Sequence, residues 1–321
     1  MSRRNIPGLL QVPAEQHDLP WLMESLQWAV ELEFATIPVY LSGMWSITQQ
    51  AGDVYDLINS VVLEEMLHLG LACNMLAAID GEPQITTPSF PGPLPGGVRP
   101  GLTVYLAGLS RELLEDVFMP IELPEHPVAE FESFPTIGAF YDAISAAFAA
   151  LFPSDHQFST TNQVGPFSIG DETLTVLKSL DEVQSAITTI KEQGEGTSTS
   201  PDVPQFGDEL AHYYRFGEIL HGKKLLEVDG QWEYTGDEIA VPDCYPVRQV
   251  PADGYPGGPG MQTFDETYKL LIGQLQTAWT GQPGSLGDAV GTMFTLTSNA
   301  QDIVTQPLPG GSGNYGPDFK A

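Results

Sequence analysis

A carboxylate and a histidine three residues apart, Glu65-Met66-Leu67-His68, have a counterpart far downstream in Glu209-Leu210-Ala211-His212, each in an apolar run with helical spacing. At 3.6 residues per turn, positions three apart lie within roughly 60° of each other, so each step can offer an oxygen and an imidazole nitrogen to one ion from one helix face. Two such steps, each with a lone glutamate from another helix, severely restrict the fold. They require four helices with acidic groups turned inward, the arrangement that holds a dinuclear metal site in a four-helix bundle.

The rest of the pattern supplies those helices. Leu22, Leu26, Val30, Glu33, Ile37 and Tyr40 share one face of a helix expected over about 19–50. Pro38 lies inside it and should bend it near Thr36. A second helix over about 53–79 turns Ile58, Val61, Glu65, His68, Ala72 and Leu76 inward and stops at Asp80-Gly81 and Pro83. The third and fourth are expected over about 172–195 and 206–226, joined by a Gly, Ser, Thr and Pro linker at about 196–204. Between the second and third lies an insertion of about 81–170. It begins with a proline-rich stretch (Pro88, Pro91, Pro93, Pro95, Pro100) that reads as an ordered loop and a lid for the site, followed by an extended piece at 103–106 and helices at about 111–118 and 136–151. A C-terminal extension of about 231–321 adds helices at about 264–280 and 286–305. The expected class is all-α, one domain over 1–321: a four-helix bundle with a long inserted crossover and extra C-terminal helices.

Helical phase selects the ligands. On the first helix Glu33 shares the apolar face, whereas Glu24 and Glu31 do not; on the second, Glu65 keeps step with His68 while Glu64 points about a quarter turn away. On the third, Glu195 lies nearer the face of Val183, Ile187 and Ile190, with Glu192 as the alternative. On the fourth, Glu209 and His212 are preferred to the competing Glu218 and His221, because His212 shares a face with Phe216 and Ile219. Four carboxylates in a core are tolerable when two divalent ions neutralise them. Tyr40, Trp28, Tyr213 and Phe216 read as core aromatics, Cys73 as a small buried hydrophobe, and Arg215 as a structural partner for an acid.

Composition narrows the partners. The 12 basic and 42 acidic residues give a net charge of -30, which repels nucleic acid and anionic membrane surfaces. Only 17% of residues are charged and 42% are hydrophobic, as in a folded protein. Two cysteines make no disulfide framework, and neither a secretory leader nor an uncharged membrane-length window is visible, so a soluble cytoplasmic protein is expected.

The strings ELEFATIPVYL (31–41), VVLEEMLHLGLACNMLAAIDGEP (61–83), IELPE (121–125), TIGAFYDAI (136–144), AITTIKEQGEG (186–196) and DELAHYYRFGEI (208–219) resemble the ferritin-like family that includes the iminophenyl-pyruvate dimer synthases of violacein and bisindole biosynthesis. The likeness runs from about residue 15 to GNYGPDF at 313–319. The family's ligand pattern falls on Glu33, Glu65, His68, the EQGEG segment and His212. The resemblance implies a ferritin-like bundle holding two iron ions, and a non-haem oxidoreductase of natural-product biosynthesis. It would use dioxygen or peroxide to oxidise a small, amino-acid-derived molecule. The same donors suit manganese or a mixed pair. Two other readings fit the bundle, an iron-handling ferroxidase and a metal-free helical interaction module, and any of the three is compatible with a homo-oligomer.

Overall fold

The computed structural model describes residues 3–124, 136–196, 200–203 and 209–320. Its axis is the helix Asp53–Ala78, buried along most of its length. That helix is long and apolar enough to cross a membrane by length and composition. Here 89% of its most apolar window is covered by protein, and it carries Glu64, Glu65 and His68, as expected of a central bundle helix.

In chain order the helices are α1 (Ile6–Leu10), α2 (Leu19–Trp45), α3 (Asp53–Ala78), α4 (Ile137–Leu151), α5 (Leu180–Glu195), α6 (His212–His221), α7 (Met261–Ala278) and α8 (Ser285–Val304). Three two-stranded antiparallel ribbons decorate them, Phe167–Ile169 with Glu172–Leu174, Asp202–Val203 with Glu209–Leu210, and Leu226–Val228 with Gln231–Glu233. Asp18 caps α2 by accepting from the Trp21 amide, and the helix continues through Pro38 to Trp45, short of the expected end near 50. Asp80, at φ 60°, and Gly81 close α3. A reciprocal Ser179 and Glu182 capping box starts α5 at Leu180, not near 172, because Glu172 is already paired in a ribbon. The fourth helix also differs from expectation. It begins at His212, with Glu209 and Leu210 extended before it, and ends at Gly222 in the left-handed conformation. The expected start near 206 lies outside the described residues.

The insertion proves to be part of the bundle instead of an excursion from it. An α turn Arg111–Leu113, a π turn Leu114–Phe118 and an α turn Met119–Ile121 lead the chain inward to Glu122, which is 6% exposed. Phe118 packs with Tyr40 and Phe216, joining this stretch to α2 and α6. The helix α4, capped by Thr136, packs against α2 and α5. No residue of the proline-rich loop lines the cavity at the cluster; its turn Pro95–Gly97 seats Gly96 against Ile6 and Trp28.

The hairpin α7–α8 is tied to α3 through Asn74, whose Oδ1 accepts from Trp279 Nε1 at 2.9 Å while its Nδ2 donates to the carbonyls of Val164 and Thr175. The tail returns over α7, stacking Phe319 on Trp45 and bringing Asp318 beside Asp265. Partial burial, a hydrogen bond with Asp318 and its charge push the Asp265 carboxyl up to about 7, with Lys320 opposing. A carboxyl raised in the folded state binds its proton there first, so its contribution is present at low pH and lost as pH rises through about 7. Asp265→Asn should therefore flatten the fall in melting temperature between about pH 4 and 7. Screening at this half-open pair holds the difference to ~1 kcal/mol, or roughly 2 °C, by scanning calorimetry.

Candidate metal centre

Five buried side chains from four stretches of chain converge between α2, α3 and α6. Glu33 comes from α2, Glu65 and His68 from α3, Glu122 from the end of the π-containing segment, and His212 from the first turn of α6. One donor atom each from Glu33, Glu65 and His68 lie within 4.8 Å of one another, and so do those from Glu65, Glu122 and His212. Glu65 belongs to both groups. The arrangement is two three-residue sites joined by a common carboxylate.

Each remaining contact orients a donor. His68 turns Nε2 to Gln193 Oε1 at 2.8 Å and leaves Nδ1 3.7 Å from Glu33 and 3.8 Å from Glu65. His212 turns Nε2 to Glu64 Oε2 at 2.9 Å and leaves Nδ1 2.9 Å from Glu65 and 3.6 Å from Glu122. An imidazole whose Nε2–H is committed outward presents the Nδ1 lone pair inward, the geometry of a metal-ligating histidine. Tyr141 donates to Glu33, Tyr40 donates to Glu122, and Thr36 Oγ1 lies 2.9 Å from Glu65 Oε2.

Without an ion this cluster is electrostatically unfavourable. Burial and the neighbouring Glu65 charge hold the Glu33 carboxyl well above its usual range, and burial with the same neighbour raises Glu122. Burial also opposes ionisation of Glu65, but His212 and His68 outweigh it and draw that carboxyl down. His212 is raised far above an ordinary histidine despite burial, by Glu122, Glu64 and Glu65 around it. His68, backed by an amide, is lowered by burial. The decisive atom is His212 Nδ1, fully buried and placed 2.9 Å from Glu65 and 3.6 Å from Glu122 with no well-directed hydrogen bond to either, although three carboxylates surround the ring. A divalent ion satisfies that nitrogen and the crowded oxygens together, so the residues fit a metal pair.

The site departs from the spacing argument in four places. Glu209 does not take part: it lies on an extended strand before the Ala211 N-cap, so it is not one helical turn from His212, and its half-exposed side chain reaches Arg215 at 3.4 Å. The third carboxylate is Glu122, which no helical period could find; the one signal was an acid between Ile121 and Leu123 in an apolar run. On α5 the inward phase of Val183, Ala186 and Ile190 falls on Gln193, fully buried, and Glu192 does not join the cluster. The Glu195 side chain lies outside what the structure describes. Glu64, expected to point away, is buried as well, because α3 is enclosed on nearly every side; Glu64 and Glu65 grip the same His212 ring from Nε2 and Nδ1. Arg215 has its acid partner in Glu64, at 2.6 and 3.0 Å.

Beside the carboxylates is a cavity of about 30 Å³, lined also by Leu32, Ile121, Ile137, Tyr141 and Ile190. It has room for a molecule the size of water or dioxygen. Glu33, Thr36, Glu65, His68, Glu122 and Lys191 also line it, so it is the space between the clustered donors.

The Ferritin-like family model matches residues 26–221, a span that includes every residue of the cluster. The chain belongs to the ferritin-like family. A crystal structure of a ferritin-like protein from Caulobacter vibrioides superposes with a TM-score of 0.64, covering 90% of this chain and 96% of that one at 21% identity. That likeness extends the shared fold beyond the family match into the C-terminal helices of this ferritin-like chain. No curated protein matches it in sequence.

The placement of Glu122 and Glu209 separates sharply in an assay. Glu122→Ala should lower the metal content of the anaerobically loaded protein to one ion per chain or fewer, whereas Glu209→Ala should leave it unchanged and move stability by no more than ~0.5 kcal/mol. Elemental analysis of both variants checks this, and equal losses would restore Glu209 as a ligand.

Proposed function

We propose that this ferritin-like protein is a dinuclear-metal oxidase, with two iron ions held by Glu33, Glu65, His68, Glu122 and His212, that oxidises a small metabolite at the expense of dioxygen or peroxide. The observation that carries the reading is the pair of inward-facing Nδ1 atoms set against three buried carboxylates, one of them common to both groups.

When bound, the ions would supply electrons to the oxidant and Lewis acidity. The chain's own residues supply geometry, charge and exclusion of water. Three carboxylates leave two divalent ions with one uncompensated positive charge, which favours an anionic ligand, whether hydroxide, reduced oxygen or a substrate carboxylate. Glu64 contributes no net charge, because Arg215 neutralises it. Tyr40 and Tyr141 hold the two outer carboxylates in place and are proton donors within reach of them. The small cavity between the donors is of a size for dioxygen, with Leu32, Ile121, Ile137 and Ile190 on its walls.

The likeness of ELEFATIPVYL and VVLEEMLHLGLACNMLAAIDGEP to the iminophenyl-pyruvate dimer synthases supports an amino-acid-derived substrate, such as an imine or indole. The C-terminal helices and the inserted segments favour an enzyme over an iron store, since they add bulk that a simple cage subunit lacks. The test is anaerobic loading with ferrous iron followed by exposure to oxygenated buffer. Two ions per chain and oxygen uptake that accelerates with an imine or indole acid are expected. A protein that takes up no iron would end the proposal, and a large mineralised cage on gel filtration would replace it with iron storage.

A further inference from the structure

The two halves of the centre are matched in almost every respect. Each has one inner histidine presenting Nδ1, one outer glutamate that accepts from a tyrosine, and a share of Glu65. They differ in what holds the far nitrogen of the histidine. Behind His212 is the carboxylate of Glu64, and behind His68 is the amide of Gln193.

We infer that the two ion positions are unequal, that Glu64 and Gln193 are the positioning residues that make them so, and that the position at Glu65, Glu122 and His212 takes a divalent cation first. The inference rests on the dinuclear reading above. A carboxylate accepting the imidazole N–H makes a charge-assisted hydrogen bond and draws the proton outward, which raises the electron density at the opposite nitrogen; an amide oxygen offers only a dipole.

Rigidity acts in the same direction. The guanidinium of Arg215 grips Glu64 as a fork, Nη1 to Oε1 at 2.6 Å and Nη2 to Oε2 at 3.0 Å, and Arg215 is in turn held by Ser60 and by the Leu210 carbonyl. The carboxylate therefore cannot turn inward to become a ligand itself, and the ring it holds is fixed before any ion arrives. Gln193 is anchored instead by donating to Glu172, which is only half-buried. The charge of Glu172 reaches His68 through the intervening amide and in part through solvent, where screening weakens it. The contact hydrogen bond decides the ranking.

The experiment is calorimetric titration of the metal-free, full-length protein with ferrous iron alone under anaerobic conditions. Two steps separated by at least ~10-fold in affinity are expected. Glu64→Gln should weaken the first step by ~10–100-fold and draw it toward the second. The exchange Gln193→Glu with Glu172→Gln moves the carboxylate into contact with His68 at unchanged net charge, and should strengthen the second step by about the same factor while leaving the first in place. If Glu64→Gln fails to fold by circular dichroism, the exchange variant decides alone. Two equal steps in the native protein, or a second step that the exchange does not move, overturns the inequality and leaves the dinuclear site standing. No uptake of iron at all removes the site and the inequality together.

Discussion

Glu65→Ala is expected to abolish binding of both ions, the largest effect of any single substitution in the cluster. Among the described residues Glu65 is the one carboxylate within reach of both histidines, its Oε1 lying 3.8 Å from His68 Nδ1 and 2.9 Å from His212 Nδ1. Loss of Glu33 or Glu122 would impoverish one position; loss of Glu65 leaves each with one carboxylate and one imidazole. Because an ion that binds only the folded chain adds RT ln(1 + [L]/Kd) to its stability, the native protein should gain about 2.7 kcal/mol at a hundredfold excess over Kd. The variant should gain nothing. Thermal melts with and without ferrous iron, read beside Glu209→Ala as the control that keeps its metal-dependent rise, measure this directly. A Glu65→Ala protein that still melts higher with iron would place the ions elsewhere.

The second large effect belongs to Arg215→Met in the metal-free protein. Arg215 and Glu64 are a buried, two-pronged ion pair, and truncating one partner strands the other charge in a low-dielectric interior at a cost of about 3–5 kcal/mol. The pH dependence identifies the cause. Burial works to raise the Glu64 carboxyl, but His212 and Arg215 overcome it and hold the group at about 2. A carboxyl lowered in the folded state contributes stability that is complete above its ordinary value near 4.5 and is lost as pH falls toward 2. The contribution is ~3 kcal/mol at neutral pH. Urea midpoints should therefore show a wide gap between native protein and variant near pH 7 that narrows steeply below about pH 4. A gap that stays constant down to about pH 2 would mean that Arg215 acts through packing of its stem alone.

Much of this centre was legible before any coordinates. Glu33, Glu65 and His68 lie on long helices whose apolar faces repeat for several turns, and a residue's direction on such a helix follows from its phase alone. His212 was legible for a different reason. Its agreement with Phe216 and Ile219 lies wholly within α6, the part of the fourth helix that is helical. Glu209 was misread because the same spacing was extended backward across the Ala211 N-cap, where the chain is extended and a three-residue separation no longer returns to the same side. The E-x-x-H step holds only where both residues are helical.

What the sequence determined by itself was the class of fold, the ferritin-like kinship and the local direction of four donors, because these depend on short-range periodicity. Tertiary structure alone decided the rest. Glu122 enters the site because a π turn and two short α turns bring a distant segment inward, so that Tyr40 can hold it. Gln193 and Glu64 acquire roles through the histidine each faces across a helix interface. Such meetings depend on how helices cross and on where connecting segments end, and no repeat of 3.6 residues records either.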